Sequence, residues 1–220
     1  MRKIAIDGPS GAGKSTLAKG LAKELGYTYV DTGAMYRAIG LYVLRKGIDP
    51  KDEAAVSACL DGIKLDIAYE NGVQNMYLCG ENVTGLIRTS EVSSYASDVS
   101  AHPSVRAFLL DAQRNMAKHH DVIMDGRDIG TVILPDADVK LFMTLPADVR
   151  AERRLAELLE KGEKITLDEV KKAMAQRDRN DSTRAVAPAV PAKDAIMFDN
   201  SSDFETTLRS ALEIIRDRLK

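Results

Sequence analysis

Five short runs of apolar residues recur along the chain. Hydrophobicity within each run is continuous rather than alternating, which predicts strands buried on both faces of a parallel sheet. The five predicted strands are residues 3–7, 27–31, 122–125, 139–144 and 195–199.

The segments between these strands carry apolar residues at the helical period. They are residues 14–25, 34–46, 104–118, 147–161, 166–178 and 203–220. Strands that alternate with helices predict an α/β fold, with a parallel sheet covered by helices on both faces. Four of the five predicted strands end in aspartate. Open α/β sheets bind ligands at the carboxyl edge of their strands, so we expect the functional site there.

One stretch, residues 63–83, departs from this alternation. Two strand-like runs flank Glu70-Asn71-Gly72 there, and Asn-Gly between such runs predicts a β-hairpin. A hairpin cannot be part of a strand–helix–strand crossover, so residues 60–102 are interpreted as an inserted α+β subdomain. Residues 180–193 contain two prolines and few large apolar residues, which predicts a mobile loop.

Composition narrows the class of protein. The 220 residues suffice for one α/β domain with an insert, and 45% hydrophobic with 29% charged residues is the balance of a soluble globular protein. A net charge of −2 and 5% aromatic residues disfavour a nucleic-acid-binding ATPase or an acidic membrane as partner. Cys59 and Cys79 fit a reducing compartment. No signal peptide or long apolar run is seen, so a cytoplasmic protein is expected.

The strongest motif follows the first predicted strand. Residues 8–15 fit G-x-x-x-x-G-K-[ST], and an amphipathic helix follows them, as a P-loop requires. Its glycines turn backbone N–H groups inward, while the helix N-terminus adds a positive dipole end. Lys14 is expected to reach the β- and γ-phosphates, and Ser15 to bind Mg²⁺. The motif therefore predicts binding of a nucleoside triphosphate, but it does not identify the reaction.

Two further clusters follow predicted strands and suggest a small phosphorylated acceptor. Thr32 is interpreted as a helix N-cap, and Arg37 lies where it could clamp a phosphate. Asp125 occupies the position of a carboxylate in a magnesium shell, while Arg127 and Asp128 are presented on a glycine-flanked turn. The alternative for Thr32 and Arg37 is a capped helix with a surface arginine. The alternative for the turn with Arg127 and Asp128 is a purely structural role.

Arginines are also concentrated in the segment that follows the fourth predicted strand. Arg150, Arg153 and Arg154 share one helix face, with a solvated charged face as the alternative. More charged residues surround the predicted mobile loop: Arg177, Asp178, Asp181 and Arg184. An arginine-bearing flap that closes over ATP would exclude water and neutralise the transferring phosphoryl group.

No histidine stands at a predicted strand edge, so no general base is evident. A phosphate acceptor is already an oxyanion and needs none, which leaves alignment and charge neutralisation as the means of catalysis. An alcohol acceptor would need a well-placed carboxylate, and Asp31 could supply it, so this alternative stays open.

The chain resembles bacterial cytidylate kinases of the nucleoside monophosphate (NMP) kinase family across nearly its whole length. Five blocks carry the resemblance: IAIDGPSGAGKST, DTGAMYRAIG, DGRDIGTVILPDADVKLFM, AERR and RDRNDSTRAVAPAVPAKDA. It implies transfer of the γ-phosphoryl of ATP to CMP or dCMP with Mg²⁺. It also implies a P-loop NMP-kinase fold with a five-stranded parallel sheet in the order 2-3-1-4-5.

The same resemblance implies one kinase domain in three parts: a core (1–59, 103–178 and 194–220), an NMP-binding insert (60–102) and a lid (about 150–190). Catalytic roles would belong to Lys14, Arg127, Arg153 and Arg177. ATP would be held by Gly8, Pro9, Ser10, Gly11, Ala12, Gly13, Lys14, Ser15 and Thr16. The nucleotide acceptor would be held by Thr32, Arg37, Ser97, Arg106, Arg127, Asp128, Asp181 and Arg184. The magnesium ligands would be Ser15 and Asp125.

Two other functions stay open at this point. Another acceptor, such as UMP or shikimate, would keep the same donor site, and Asp128 could accept from the amino group that distinguishes cytosine. An NTP-driven switch would instead need a water-orienting residue and ordered switch loops. A monomer is expected, because no apolar stripe demands a partner. The role of residues 63–83, cover for the sheet end or gating of the acceptor, is left open.

Overall fold

The computed structural model describes residues 1–70, 72–160 and 162–220. Asn71 of the predicted hairpin turn and Lys161 at the end of a predicted helix lie outside the described residues. The chain forms two compact units. The first contains Thr28–Val122, and the second combines Arg2–Tyr27 with Ile123–Lys220. The predicted insert, residues 60–102, falls within the first unit, and its boundaries stay a prediction.

Within the part of the chain that the structure describes, five parallel strands form one sheet and three antiparallel strands form another. The larger sheet has the order β2-β6-β1-β7-β8, which confirms the predicted order 2-3-1-4-5. Its strands are β1 Lys3–Asp7, β2 Thr28–Asp31, β6 Val122–Asp125, β7 Val139–Thr144 and β8 Ile196–Asp199. The smaller sheet contains β3 Leu65–Glu70, β4 Val73–Leu78 and β5 Glu81–Asn82.

The described residues contain eight α-helices, and the six predicted helices are confirmed: α1 has the predicted ends, whereas the ends of α2, α5, α7 and α8 are shifted. The helices are α1 Lys14–Leu25, α2 Thr32–Arg45, α3 Glu53–Cys59, α4 Ser90–Val99, α5 Pro103–His119, α6 Ala147–Glu160, α7 Leu167–Thr183 and α8 Phe204–Arg218. The sequence did not predict α3 and α4. A single π-helical turn, Ile129–Ile133, follows β6.

The second unit has its core along β1 and β7, whose central residues are buried. β1 pairs with β7, and β7 pairs with β8. The continuous burial explains why these strands could be recognised from uninterrupted apolar runs. Helix α1 buries Leu17 and Leu21, then ends at Gly26, whose positive φ of 71° closes the helix.

Helices α6 and α7 of this unit have an apolar cluster of their own. Ala151 and Leu158 from α6 meet Val170 and Met174 from α7. A capping box between Thr166 and Glu169 fixes the start of α7. The prediction of a mobile loop over residues 180–193 was wrong for the first four residues, because α7 continues to Thr183.

The first unit has its core between α2 and the α4–α5 segment. Gly40 of α2 allows close contact, because a Cβ at that position would lie 2.8 Å from the backbone nitrogen of Ala96. Apolar residues of the small sheet join the same core, among them Met76 and Leu78. The antiparallel pairing of the predicted hairpin is confirmed, with Glu70 opposite Val73. No described helix is long and apolar enough to cross a bilayer.

Candidate active site

The P-loop connects β1 to α1 in the second unit. Gly13 adopts a positive φ of 87° at the N-terminus of α1. A side chain there would collide with the Asn200 amide, which donates to the Ala12 carbonyl at 2.8 Å. Glycine is therefore needed at position 13 for both backbone conformation and space.

Lys14 lies beneath this loop and is only 6% exposed. Its Nζ donates to the Pro9 carbonyl at 2.7 Å. Burial lowers the pKa of Lys14 well below its ordinary value, and the nearby Arg127 lowers it further, while Asp125 acts in the opposite direction. The ammonium group is thus held in an environment that would gain from a negatively charged ligand.

The two predicted magnesium ligands are brought together. Ser15 Oγ donates to Asp125 Oδ2 at 2.8 Å. Ser15 begins α1 and Asp125 ends β6, so the pair forms where the P-loop meets the carboxyl end of a strand. A hydroxyl and a carboxylate are hard oxygen donors of the kind that Mg²⁺ prefers.

Asp7, the last residue of β1, anchors the turn that follows β6. Its two carboxylate oxygens accept from the backbone N–H groups of Ile129 and Gly130, both at 2.8 Å. Burial raises the pKa of Asp7 to about 6, against the opposing effect of these two donors. Asp7 therefore fixes the turn that carries Arg127 and Asp128.

Five of the predicted site residues form one charged network in the second unit. Arg127 Nε donates to Asp181 Oδ2 at 2.9 Å, and Arg184 Nη2 donates to Asp128 Oδ1 at 3.2 Å. Arg184 Nη1 also lies 3.6 Å from Asp181 Oδ1, while Arg177 Nε lies 3.9 Å from Asp181 Oδ2. The side chains of Arg184, Asp128 and Asp181 are at most 8% exposed.

Asp181 is the centre of this network. Its burial alone would raise its pKa, but the positive charges of Arg127, Arg177 and Arg184 outweigh burial and hold the pKa below its ordinary value. The carboxylate is therefore ionised and shared by the surrounding guanidinium groups.

Helix α6 differs from the predicted arginine face. Arg150 is buried, and its Nη1 donates to Asp178 Oδ2 at 2.6 Å and to the Ser10 carbonyl at 2.8 Å. Asp178 Oδ1 in turn accepts from the Ser10 N–H at 3.0 Å, so the two side chains hold the P-loop backbone. Arg153 Nη2 donates to the Asn200 carbonyl at 3.3 Å, and Arg154 makes an exposed ion pair with Glu157.

The first unit holds the remaining predicted acceptor residues. Asp31, not Thr32, is the N-cap of α2, since its Oδ1 accepts from the Ala34 N–H at 2.9 Å. The prediction for Thr32 as N-cap was wrong, because the preceding aspartate also supplies a capping oxygen and leaves Thr32 inside the helix. Arg37 Nη2 contacts both carboxylate oxygens of Asp31, at 3.1 and 2.9 Å.

Asp31 has a second arginine partner, Arg88, whose Nη2 donates to Oδ2 at 3.0 Å. Burial by itself raises the pKa of Asp31, but Arg37 and Arg88 together lower it below its ordinary value. The carboxylate is thus engaged by a helix N-terminus and two guanidinium groups. This arrangement argues against Asp31 as a general base for an alcohol acceptor.

Ser97 and Arg106 also lie in the first unit. Ser97 Oγ, on α4, is buried and has no hydrogen-bond partner among the described residues. Arg106, on α5, donates to the Ser100 carbonyl at 3.0 Å, and its guanidinium lies 5.5 Å from the centroid of the Tyr36 ring. A polar ligand group would satisfy the Ser97 hydroxyl.

Sequence reasoning missed three residues that organise these groups, namely Asp7, Arg88 and Gln74. Asp7 was noted only as a strand-terminal aspartate, although its position directly before the P-loop glycine could have identified it. Arg88 pairs with the Asp31 carboxylate and Gln74 bonds the Asp31 backbone, and no local pattern marks such contacts between residues distant in sequence. Arg150 was placed on an arginine face, but its contact with the Ser10 carbonyl was not predicted.

The chain is similar to known proteins over nearly its whole length. The chain is 50% identical over 216 residues to a cytidylate kinase from Caldicellulosiruptor bescii, with coverage of 96% of this chain and 94% of that protein. It is 44% identical over 218 residues to a cytidylate kinase from Geobacillus sp. (strain WCH70), with coverage of 99% and 97%.

A gluconokinase structure from Sinorhizobium meliloti 1021 shares the fold, with a TM-score of 0.50 at 13% identity over 98% of this chain and 92% of that chain. The cytidylate kinase family model matches residues 4–217. The chain therefore belongs to the cytidylate kinase family.

Proposed function

We propose that this chain transfers the γ-phosphoryl group of ATP to CMP or dCMP, giving ADP and CDP or dCDP. The observation that carries the proposal is its membership of the cytidylate kinase family over residues 4–217. The P-loop, the buried Lys14 and the arginine–aspartate networks supply the charges that such a reaction needs.

The donor is bound by residues 8–16. Backbone N–H groups of the loop face the phosphates, and the N-terminus of α1 adds its dipole. Lys14 exchanges its bond to the Pro9 carbonyl for phosphate oxygens, which restores a full counter-charge to a buried ammonium group.

The residues present also fit a magnesium ion. Ser15 and Asp125 would hold it, since their oxygens lie 2.8 Å apart at the end of β6. When bound with ATP, the ion neutralises charge on the phosphate oxygens. Two protein oxygens suffice in such sites, because Mg²⁺ retains waters and substrate phosphates among its six ligands.

Catalysis proceeds by alignment and charge neutralisation. The acceptor oxygen belongs to a phosphate and is already anionic, so no proton has to be removed before attack. Lys14, Arg127, Arg153 and Arg177 offset the negative charge that spreads over the transferring group. Their guanidinium and ammonium groups are already present before the reaction, which limits the reorganisation that the transition state requires.

The acceptor nucleotide is bound by the residues that the family resemblance assigns to it. Arg37 and Arg127 bind its phosphate, and Thr32, Ser97 and Arg106 contribute polar contacts. Asp128 offers an acceptor oxygen to the cytosine amino group. Asp181 binds the ribose, and Arg184 orients both Asp128 and Asp181 through its two Nη atoms.

Residues 60–102 act as the NMP-binding insert and residues 150–190 as the lid over the ATP phosphates. The separate apolar cluster of α6 and α7 supports a lid that moves as a unit. We further propose a cytoplasmic monomer whose partners are small nucleotides, without nucleic acid or membrane.

A panel of acceptors tests the proposal. ADP release from Mg·ATP is followed with CMP, dCMP, UMP, AMP, GMP and shikimate. Turnover with CMP and dCMP well above UMP, and none with the other three, is expected. Turnover limited to UMP or shikimate would overturn the acceptor assignment, and turnover with none of them would favour an NTP-driven switch.

A further inference from the structure

The small sheet of the first unit contacts the backbone of β2 through two side chains. Gln74 of β4 uses both ends of its amide on Asp31: Oε1 accepts from the Asp31 N–H at 2.8 Å, and Nε2 donates to the Asp31 carbonyl at 3.3 Å. Tyr69 of β3 donates its hydroxyl to the Tyr29 carbonyl at 3.0 Å. The Gln74 bonds tie the small sheet to Asp31, the residue that caps α2, and the Tyr69 bond ties it to Tyr29.

Arg88 shares the Asp31 carboxylate with Arg37. It lies at the end of the short 3₁₀ helix Leu86–Arg88, which follows the small sheet. Two guanidinium groups and one carboxylate leave the cluster with one excess positive charge. The exposures of the three side chains differ: 6% for Asp31, 17% for Arg37 and 47% for Arg88.

The exposed side of this cluster is therefore cationic. Arg88 uses Nη2 for Asp31, and nearly half of its side chain is exposed. Arg37 Nε is buried without a hydrogen-bond partner among the described residues. A guanidinium fork matches a phosphate group geometrically, and two forks on one carboxylate form a preorganised site for a dianion.

We propose that Arg88 binds the phosphate of the acceptor nucleotide beside Arg37, and that Gln74 is the positioning residue that fixes Asp31 between the two arginines. This inference rests on the proposed function and assigns a role to residues 63–83. The small sheet then contributes to the acceptor site through Gln74, and the 3₁₀ helix that follows the sheet contributes through Arg88.

Arg88→Met tests the direct contact. Loss of one charge-assisted hydrogen-bonding group predicts a KM for CMP raised by about 10-fold to 100-fold. The KM for ATP should stay within about twofold of the wild-type value, because the removed interaction concerns the acceptor alone. Arg88→Lys, which keeps the charge without the fork, should recover part of the loss.

A binding measurement makes the test specific for phosphate. Calorimetric titration compares CMP with cytidine in the wild type and in Arg88→Met. The substitution should weaken CMP binding by the same factor as the KM and leave cytidine binding unchanged. Equal weakening of both ligands would show a general structural defect and overturn the inference, as would unchanged binding of CMP.

Gln74→Met tests the support of Asp31, and Tyr69→Phe is its matched control from the same hairpin. Each variant removes side-chain hydrogen bonding to the backbone of β2. Gln74→Met should raise the KM for CMP by about threefold to 10-fold with little change in kcat, whereas Tyr69→Phe should leave both constants unchanged. Equal effects of the two variants would mean that the hairpin acts only as general cover, and no effect of Gln74→Met would remove its positioning role.

The wild-type protein separates failure of this inference from failure of the proposed function. If the wild type phosphorylates CMP and the Arg88 variants behave like it, the inference alone is wrong. If the wild type neither binds nor phosphorylates CMP, the proposed function itself falls.

Discussion

Replacement of Asp181 by asparagine removes the central charge of the arginine network in the second unit. Asparagine has nearly the same shape but no charge, so Arg127, Arg177 and Arg184 would face one another with less compensation. Removal of one partner from a buried ion pair costs 3–5 kcal/mol in general. Arg127 is 18% exposed and keeps some access to water, so we expect a loss of about 2–4 kcal/mol in the free energy of unfolding at pH 7.

The loss should be visible in thermal unfolding. For a chain of this size, a loss near the middle of that range corresponds to a decrease in Tm of about 6–12 °C. Asp217→Asn is the matched control, because it makes the same change of charge in an exposed ion pair with Lys220. It should change stability by no more than about 0.5 kcal/mol. An Asp181→Asn protein as stable as this control would refute the central role of Asp181.

The effect of pH on this difference follows from the lowered pKa of Asp181. A carboxylate whose pKa is lower in the folded state contributes stability above its unfolded pKa, 3.8, and loses it as the pH falls through the folded value. Wild type and Asp181→Asn should therefore differ by a constant amount near neutral pH and converge in acid. A difference that widens below pH 4 would contradict the assignment of charge.

In kinetics, Asp181→Ala should raise the KM for CMP more than the KM for ATP, and an equal rise would contradict the ribose contact.

Three further substitutions test other parts of the account. Lys14→Ala should lower kcat by more than about 100-fold in the ADP-release assay, because the transferring group loses its main cation; near-normal turnover would exclude the P-loop mechanism. Because the pKa of Asp7 is raised from 3.8 to about 6 on folding, the free energy of unfolding should fall by about 3 kcal/mol as the pH rises through this interval. Asp7→Asn should abolish this decrease. Urea unfolding from pH 4 to pH 7 would show it, and an unchanged pH slope would refute it. Gly13→Ala should weaken ATP binding in calorimetry, since its Cβ would collide with the Asn200 amide; wild-type affinity would show that the loop has room.

Four strands of the larger sheet could be predicted because they are largely buried on both faces. The prediction of burial on both faces was wrong for the edge strand β8, where Met197 is exposed. Three predicted strands, 3–7, 122–125 and 139–144, have the observed ends, since apolar runs and strand limits coincide there. Helix ends were less accurate: α2 begins at Thr32 rather than 34, because Asp31 caps it. Two helices of the first unit, α3 and α4, were not predicted. With 7 and 10 residues, they give little room for a helical period to be recognised.

The donor side of the candidate site was the more predictable one. The P-loop motif specifies local geometry, and strand-terminal Asp125 lies where the fold class places it. Residues that support one another across the chain could not be predicted in this way. Asp178 lies 168 positions after Ser10, and Arg88 lies 57 positions after Asp31. No periodicity connects such pairs, because their proximity comes from tertiary packing.

The central claim is that the γ-phosphoryl group of ATP is transferred to the phosphate of CMP. Incubation with γ-labelled ATP and CMP, followed by separation of the nucleotides, tests this claim directly. The account predicts that the label appears in CDP, on its β-phosphate, with one ADP formed for each CDP. Label recovered as inorganic phosphate, or on an acceptor other than a cytidine nucleotide, would contradict it.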